Sequence, residues 1–288
     1  MSEEWTVRKV LDWTRGHFEK QEIDAPRLTA ELLLAHLLKV TRVKLYVDLD
    51  RPLQKEELAQ YKAMIQRRLA HEPTQYLMGT REFYGRQFAV DKRVLIPRNE
   101  TELLVEAVLR ALPKENPTRV LDVCTGSGCI ALSIAAERPQ ASVWATDLME
   151  NALEVARSNA EALGTGARVT FMQGDLFAAV PVGPTFDVIV SNPPYVKTSE
   201  LATLQKEVRQ EPRVALDGGA DGLDLIRRIA TDAMPRLKPG GLLALEVGED
   251  QGPATSELLT RAGYHEVRVE LDLERRDRMV FGRAAKGI

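Results

Sequence analysis

The sequence has two cysteines, four histidines, and no apolar run approaching the ~18 residues that a membrane span needs. Scarce cysteine excludes a disulfide scaffold. Cys124 and Cys129 share one short segment with no histidine nearby, so they lack the four ligands of a structural zinc site and read as small packed side chains. Charge of one sign is also missing: 39 basic residues stand against 42 acidic ones, for a net charge of −3. No whole-molecule field attracts DNA or RNA, which disfavours a nucleic-acid substrate and leaves only a local basic patch to hold one. The first residues, MSEEWTVRKVLDW, are acidic at once and lack the apolar stretch of an export signal, so the protein is expected to stay in the cytoplasm.

What is present divides the 288 residues into three parts. Over 1–75, apolar residues recur at three- and four-residue spacing, which predicts a small helical domain, with Asp24 capping a helix that has Pro26 in its first turn. Over 76–98, EFYGRQFAVDKRVLIPR is aromatic and β-branched with turn candidates at Gly85 and Asp91-Lys92, and predicts a linking β-hairpin. Arg81, Arg86, Lys92, Arg93 and Arg98 make this stretch basic, either as a solvated surface or as a patch that docks an acidic partner.

From 99 to 288, strand-like and helix-like segments alternate: RVLDV then SGCIALSIAAER, SVWATD then MENALEVARSNAEAL, then RVTFMQGD and FDVIVSN. LDLIRRIATDAMPRL, a Gly-Gly turn and LLALEVG follow. Such alternation predicts an α/β fold, a doubly wound, mostly parallel sheet with helices on both faces. The final run, HEVRVELDLERRDRMVFG, adds an antiparallel strand near one edge.

The first strand of that sheet ends in LDVCTGSGC, where Gly126 and Gly128 let backbone approach a ligand beside a helix N-terminus. Dinucleotide sites, methyl-donor sites and empty tight turns all use such glycines. Asp147 ends the next strand, about 20 residues on, where an acid accepts hydrogen bonds from both hydroxyls of a ribose. Taken alone, Asp147 also fits a cap ahead of Met149. Asp175, after the third strand, suits either an adenine amino group or the cap of a short turn. Glycines and acid together imply a nucleoside cofactor, either nicotinamide or S-adenosylmethionine.

The fourth strand ends in SNPPY, which in a doubly wound sheet faces the ligand crevice. Pro193 and Pro194 have fixed φ and no N–H, so the loop is stiff and poor in donors. The side-chain oxygen of Asn192 and the main-chain oxygen of Pro193 are two acceptors suited to the two hydrogens of one NH2 group, and Tyr195 offers a flat face for a planar amide or base. A planar NH2 is a poor nucleophile; acceptors on both its hydrogens fix its direction and favour the positive charge that develops as it attacks. That chemistry selects a methyl donor over nicotinamide. Asn192, Pro193 and Tyr195 are the catalytic candidates, Asn192 through Tyr195 hold the substrate, and no metal is implied.

The stretches QYLMGTREFYGRQFAV, LIPRNETELLVE, LDVCTGSGCIALSIA, SNPPYV and EPRVALDGGADGLDLIRRI run in order from about Tyr76 to Val247. They resemble the HemK-type (PrmC) glutamine N5-methyltransferases that modify peptide chain release factors. The resemblance implies a class I S-adenosylmethionine-dependent methyltransferase domain with the cofactor against Cys124, Thr125, Gly126, Ser127 and Gly128, its ribose on Asp147, and Asp175, Leu176 and Asn192 completing the pocket. It also implies that the glutamine belongs to the Gly-Gly-Gln motif of class I release factors, the protein partner that the helical domain and the hairpin would grip. Relatives commonly have glycine at the position of Cys124, some have tryptophan at that of Leu176, and PRNETE replaces their usual PRPETE or PRPDTE. Asn99 and Glu102 in that stretch suit a capping box or the lining of the substrate mouth. DGGADGLD, Asp217 to Asp224, lacks the spacing and closing Glu of a calcium loop and reads as a glycine-rich turn.

The rivals are a ribosomal protein glutamine methyltransferase, which shares the chemistry, and an N6-adenine or N2-guanine nucleic-acid methyltransferase, which needs a basic reading surface. A non-catalytic adaptor would have no use for both Asn192 and Asp147, and a nicotinamide dehydrogenase none for paired acceptors on the fourth strand.

Overall fold

A computed structural model describes residues 4–183 and 185–286, so the first three residues of the acidic N-terminus lie outside the described residues. The chain forms two compact units. The first runs to Thr80 and takes back Gln205–Gln210; the second holds Arg81–Leu204 and the chain from Glu211 onward. Helical structure thus continues past residue 75. No helix among the described residues is long and apolar enough to cross a membrane.

The first unit contains α1 (Val7–Lys20), α2 (Pro26–Leu38), α3 (Arg42–Val47), α4 (Lys55–Leu69) and α5 (Thr74–Met78). Their apolar stripes close on one core that includes Phe18, Leu33, Leu34, Leu45, Tyr61 and Ile65. Asp24 does not cap α2. Pro26 at the first helical position makes Ala25 the cap, in a left-handed conformation with no side-chain bond, while the carbonyl of Asp24 accepts the Thr29 hydroxyl at 3.1 Å. The returning segment is fixed within this unit by the buried Arg68 of α4, which donates to Glu207 at 2.7 Å.

At the start of the second unit, β1 (Thr80–Phe83), whose first residue closes the first unit, and β2 (Arg86–Ala89) form the hairpin. Its two-residue turn puts Tyr84 and Gly85 at φ 49° and 69°, the primed geometry that matches strand twist. Four of the five basic side chains of this stretch are engaged within the unit: Arg81 bonds the Pro97 carbonyl and Asn99, Arg86 bonds Glu137, Arg93 bonds Asp91 and Glu154, and Arg98 bonds Glu211. The capping box is likewise absent. Helix α6 (Asn99–Ala111) has Arg98 as its cap with no side-chain bond, because Asn99 accepts from Arg81 and Glu102 accepts the Tyr84 N–H at 2.9 Å. Those carboxylate and amide oxygens brace the hairpin instead.

The sheet holds β3 (Thr118–Val123), β4 (Ala141–Asp147), β5 (Val169–Gln173), β6 (Phe186–Ser191), β7 (Leu237–Glu246), β8 (His265–Leu271) and β9 (Asp277–Arg283). The strand order is β5-β4-β3-β6-β7-β9-β8, with all pairs parallel except those of β9. The antiparallel strand therefore lies one place in from the edge. Alternation of side chains explains the two covered faces. Val120, Val188, Val190, Leu242 and Ala244 join one core with α6 and α7 (Cys129–Glu137). Leu121, Val123, Ile189, Leu243 and Leu245 join the other with α9 (Asp224–Ala233). Helices α8 (Glu150–Ala162) and α10 (Gly252–Arg261) complete the connections. The Gly-Gly turn expected before LLALEVG is a bulge inside β7: between Phe186 and Val188 on β6, the partner strand advances from Leu237 to Leu242.

Candidate active site

Three strands of the parallel sheet, β3, β4 and β6, end side by side at the crevice. After Val123 the chain turns through Cys124, Gly126 and Gly128 at φ 63°, 55° and 81°, all left-handed. A glycine is the ordinary residue for such geometry, and Cys124 adopts it with a side chain. A Cβ on Gly126 would meet nothing within 4 Å, so its surface stays open to a ligand; one on Gly128 would lie 3.0 Å from Leu132 Cδ1, which packs the helix start against the turn. The loop is fixed from below by Asp122. Its Oδ2 accepts the Thr125 hydroxyl at 2.6 Å and the Ala131 N–H at 3.2 Å. Complete burial pushes the Asp122 carboxyl up to about 7 against those two bonds. From above, Asn159 of α8 donates to the Ser127 carbonyl at 2.9 Å while its Oδ1 takes the Ala89 N–H at 2.7 Å, tying hairpin to loop.

Asp147 closes the second strand and is shared between two neighbours. Its Oδ2 accepts the Gly126 N–H and its Oδ1 the Met149 N–H, each at 2.9 Å. Burial raises this carboxyl above the usual range, partly offset by the Met149, Gly126 and Leu148 amides. Asp147 does not cap α8, whose N-cap is Met149 with no side-chain bond; it braces the turn before that helix and lines the cleft, and each of its oxygens keeps lone pairs for a further donor. Asp175 is half exposed and pairs with Arg228 at 2.8 Å, and Leu176 beside it is buried at φ 51°.

An open cleft gathers Cys124, Gly126, Asp147, Asp175, Leu176, Asn192 and Pro194 on one surface. Thr125, Ser127, Gly128, Pro193 and Tyr195 do not line it: Thr125 and Ser127 are buried, and the Tyr195 phenol is directed to Glu246. Arg93 of the basic stretch also lines it, with further walls from residues that were given no site role. Leu148, Met149 and Val214 are apolar and exposed at the cleft, and Pro212, Ala215 and Leu225 follow from the stretch after Glu211.

The SNPPY loop is held at every step. The Ser191 hydroxyl donates to the Val123 carbonyl at 2.6 Å, stitching β6 to β3. Asn192 Nδ2 donates to Thr101 Oγ1 of α6 at 3.2 Å, which turns Oδ1 away from Thr101. Gln251 donates to the Tyr195 carbonyl at 2.9 Å, and the Tyr195 phenol reaches Glu246 Oε1 at 3.5 Å. The glycine-rich turn after Asp217 clamps the loop's far side: Gly218 N–H bonds the Val196 carbonyl at 2.8 Å, and a Cβ on Gly222 would fall 2.3 Å from the Tyr195 carbonyl oxygen. Burial pushes the Cys129 thiol up to about 12 and raises Cys124 further, so neither supplies a thiolate nucleophile. Among the described residues no group of three or more His, Cys, Asp or Glu is arranged to hold a metal ion.

Two family models match the chain: the PrmC N-terminal domain over residues 9–79 and the methyltransferase small domain over residues 99–220. The release factor glutamine methyltransferase of Geobacter sulfurreducens is 46% identical over 281 residues, covering 97% of each chain. That of Chlorobaculum tepidum is 43% identical, covering 95% of this chain and 96% of its own. A methyltransferase structure from Pyrococcus furiosus shares the fold, with a TM-score of 0.53 at 19% identity over 70% of this chain and 91% of that one. With near-complete coverage at such identity, the chain belongs to the release factor glutamine methyltransferase family.

Proposed function

We propose that this protein transfers a methyl group from S-adenosylmethionine to the side-chain amide nitrogen of the glutamine in the Gly-Gly-Gln motif of class I peptide chain release factors, in the cytoplasm. The observation that carries this is the Asn192 amide: its nitrogen is engaged by Thr101 at 3.2 Å, so its oxygen is the end left to meet a substrate N–H. The cleft fits the nucleoside part of the donor. Asp147 would accept the ribose hydroxyls, the unobstructed face of Gly126 admits the ligand's close approach, and the exposed apolar rim of Leu148, Met149 and Val214 suits a planar base.

When bound, the donor supplies a methyl carbon on a positively charged sulfur, an electrophile strong enough for a neutral nitrogen. Asn192 Oδ1 and the Pro193 carbonyl would each accept one N–H of the glutamine amide, raising electron density on that nitrogen and fixing its line of approach. As the new N–C bond forms and the C–S bond breaks, the same two oxygens stabilise the charge on nitrogen until its extra proton passes to water. Tyr195, anchored by Glu246 and Gln251, would keep the loop rigid and offer its ring to the amide plane. The helical unit is assigned the task of gripping the rest of the release factor.

Incubation with labelled methyl donor and, in separate reactions, a release factor, ribosomal protein and duplex DNA tests this by mass mapping. Label on the Gly-Gly-Gln glutamine is the expected result. Label confined to ribosomal protein or to DNA would overturn it.

A further inference from the structure

Pro212, Val214 and Ala215 line the cleft from a short span of chain that is anchored at both ends. At its start stands Glu211, whose side chain is 2% exposed and whose two oxygens hold different partners. Oε2 accepts the Ile96 N–H at 2.9 Å, and Oε1 accepts from Arg98 Nη2 at 2.6 Å. At its end, the Leu216 carbonyl accepts the N–H of Val196, the residue after SNPPY, at 2.9 Å. Between the anchors the bonds are local. Ala215 N–H donates to the Pro212 carbonyl at 2.9 Å, and the Arg213 carbonyl takes the N–H groups of Leu216 at 3.0 Å and Asp217 at 2.9 Å, which winds Arg213–Ala215 into a single 3-10 turn. Val94 and Leu95, just before Ile96, line the same cleft. Glu211 thus joins two stretches of wall across a separation of 115 residues.

A carboxylate costs desolvation at such a position, and a buried ion pair seldom adds stability over an apolar replacement of similar volume. What it provides is two acceptors at a fixed separation and no hydrogen of its own, so a backbone N–H and a guanidinium are held at once. A glutamine would turn its NH2 toward one of those two donors. Neither Glu211 nor Arg98 lines the cleft, so their effect on a ligand passes through the residues beside them.

We propose that Glu211 is a positioning residue for the methyl donor: with Arg98 and the Ile96 amide it pins the 212–215 span, and so fixes the apolar wall on which the nucleoside rests. This inference rests on the reading of the cleft as the S-adenosylmethionine site, and it concerns donor binding rather than the transfer step.

Calorimetric titration with S-adenosylmethionine, single-turnover methylation of a release factor at saturating donor, and thermal melting test it on the intact protein. Glu211→Gln should weaken donor affinity about tenfold, the scale of one charge-assisted hydrogen bond, with the saturated rate within about twofold. Arg98→Met should weaken the donor as much and also lower the melting temperature, because it leaves Glu211 buried without its cation. Arg98→Met combined with Glu211→Gln should regain the melting temperature but not the affinity. Affinity that returns with the melting temperature in the double variant would reduce the pair to a structural prop and overturn the inference. A rate loss that saturating donor does not relieve would overturn it as well. The unaltered protein separates the two levels. If it binds S-adenosylmethionine and Glu211→Gln binds equally well, only the inference fails; if the unaltered protein does not bind the donor, the reading of the cleft beneath it fails too.

Discussion

At the residue scale, the cleft divides its work between one carboxylate and one amide. Asp147 holds two backbone N–H groups at 2.9 Å and still faces the cleft, so Asp147→Ala removes ribose acceptors and loosens the glycine loop together. Donor affinity should fall about 10- to 100-fold, in line with ~1.5–3 kcal/mol for hydrogen bonds to a charged group. Calorimetric titration with S-adenosylmethionine checks this, and unaltered affinity would remove the ribose role. Asp147 and Asn192 were legible in the sequence because each ends a strand that the alternating pattern already located. Thr101, Glu246 and Asn159 were not. Their partners lie 91, 51 and 70 residues away, and no local spacing announces a bond across that distance. Glu102 shows the converse: its spacing from Asn99 fits a cap, yet the nearby hairpin amide of Tyr84 won its oxygen.

At the element scale, the SNPPY loop owes its shape less to its own prolines than to the turn from Asp217 to Gly222. Gly222 sits at φ 78°, where a side chain is strained, and an added Cβ would collide with the Tyr195 carbonyl and with Gln251 Nε2, 2.5 Å away. Gly222→Ala should therefore destabilise the protein by about 2 kcal/mol or more and slow methyl transfer through displacement of Tyr195. Chemical denaturation and a single-turnover rate measure the two effects; a variant with normal stability and rate would show that the clamp is idle. The sequence revealed that this segment is a glycine-rich turn, but which backbone it touches depends on how the chain after β6 returns. The Gly-Gly bulge in β7 follows the same logic. Two glycines predict a break, and only pairing with β6 decides that the strand continues through it.

At the scale of the whole molecule, the alternation of strand and helix made the doubly wound sheet readable, because its central strands feed two cores through a two-residue period. Buried acids then shape its response to pH. Asp122 and Glu246 are both pushed up to about 7 by burial, above their unfolded values of 3.8 and 4.5. Between those limits the native state binds more protons than the unfolded one, so stability falls as pH rises from about 4 to 7, by on the order of 3 kcal/mol for each group. Asp91, held low chiefly by Arg93, and Asp221, lowered to about 2 chiefly by Arg227, act in the opposite sense, and their stabilisation is lost as pH drops below about 4. Melting temperature should thus be higher near pH 5.5 than at pH 8, and Glu246→Gln should narrow that gap; a gap unchanged in the variant would contradict the buried charge. The most direct test of the whole account is the rate of a single methyl transfer by Asn192→Ala to an intact release factor, measured beside its donor affinity. We predict a fall of about 100-fold or more, the scale of losing a preorganised acceptor, with affinity for S-adenosylmethionine within about twofold of the unaltered protein. Transfer at the unaltered rate would contradict it.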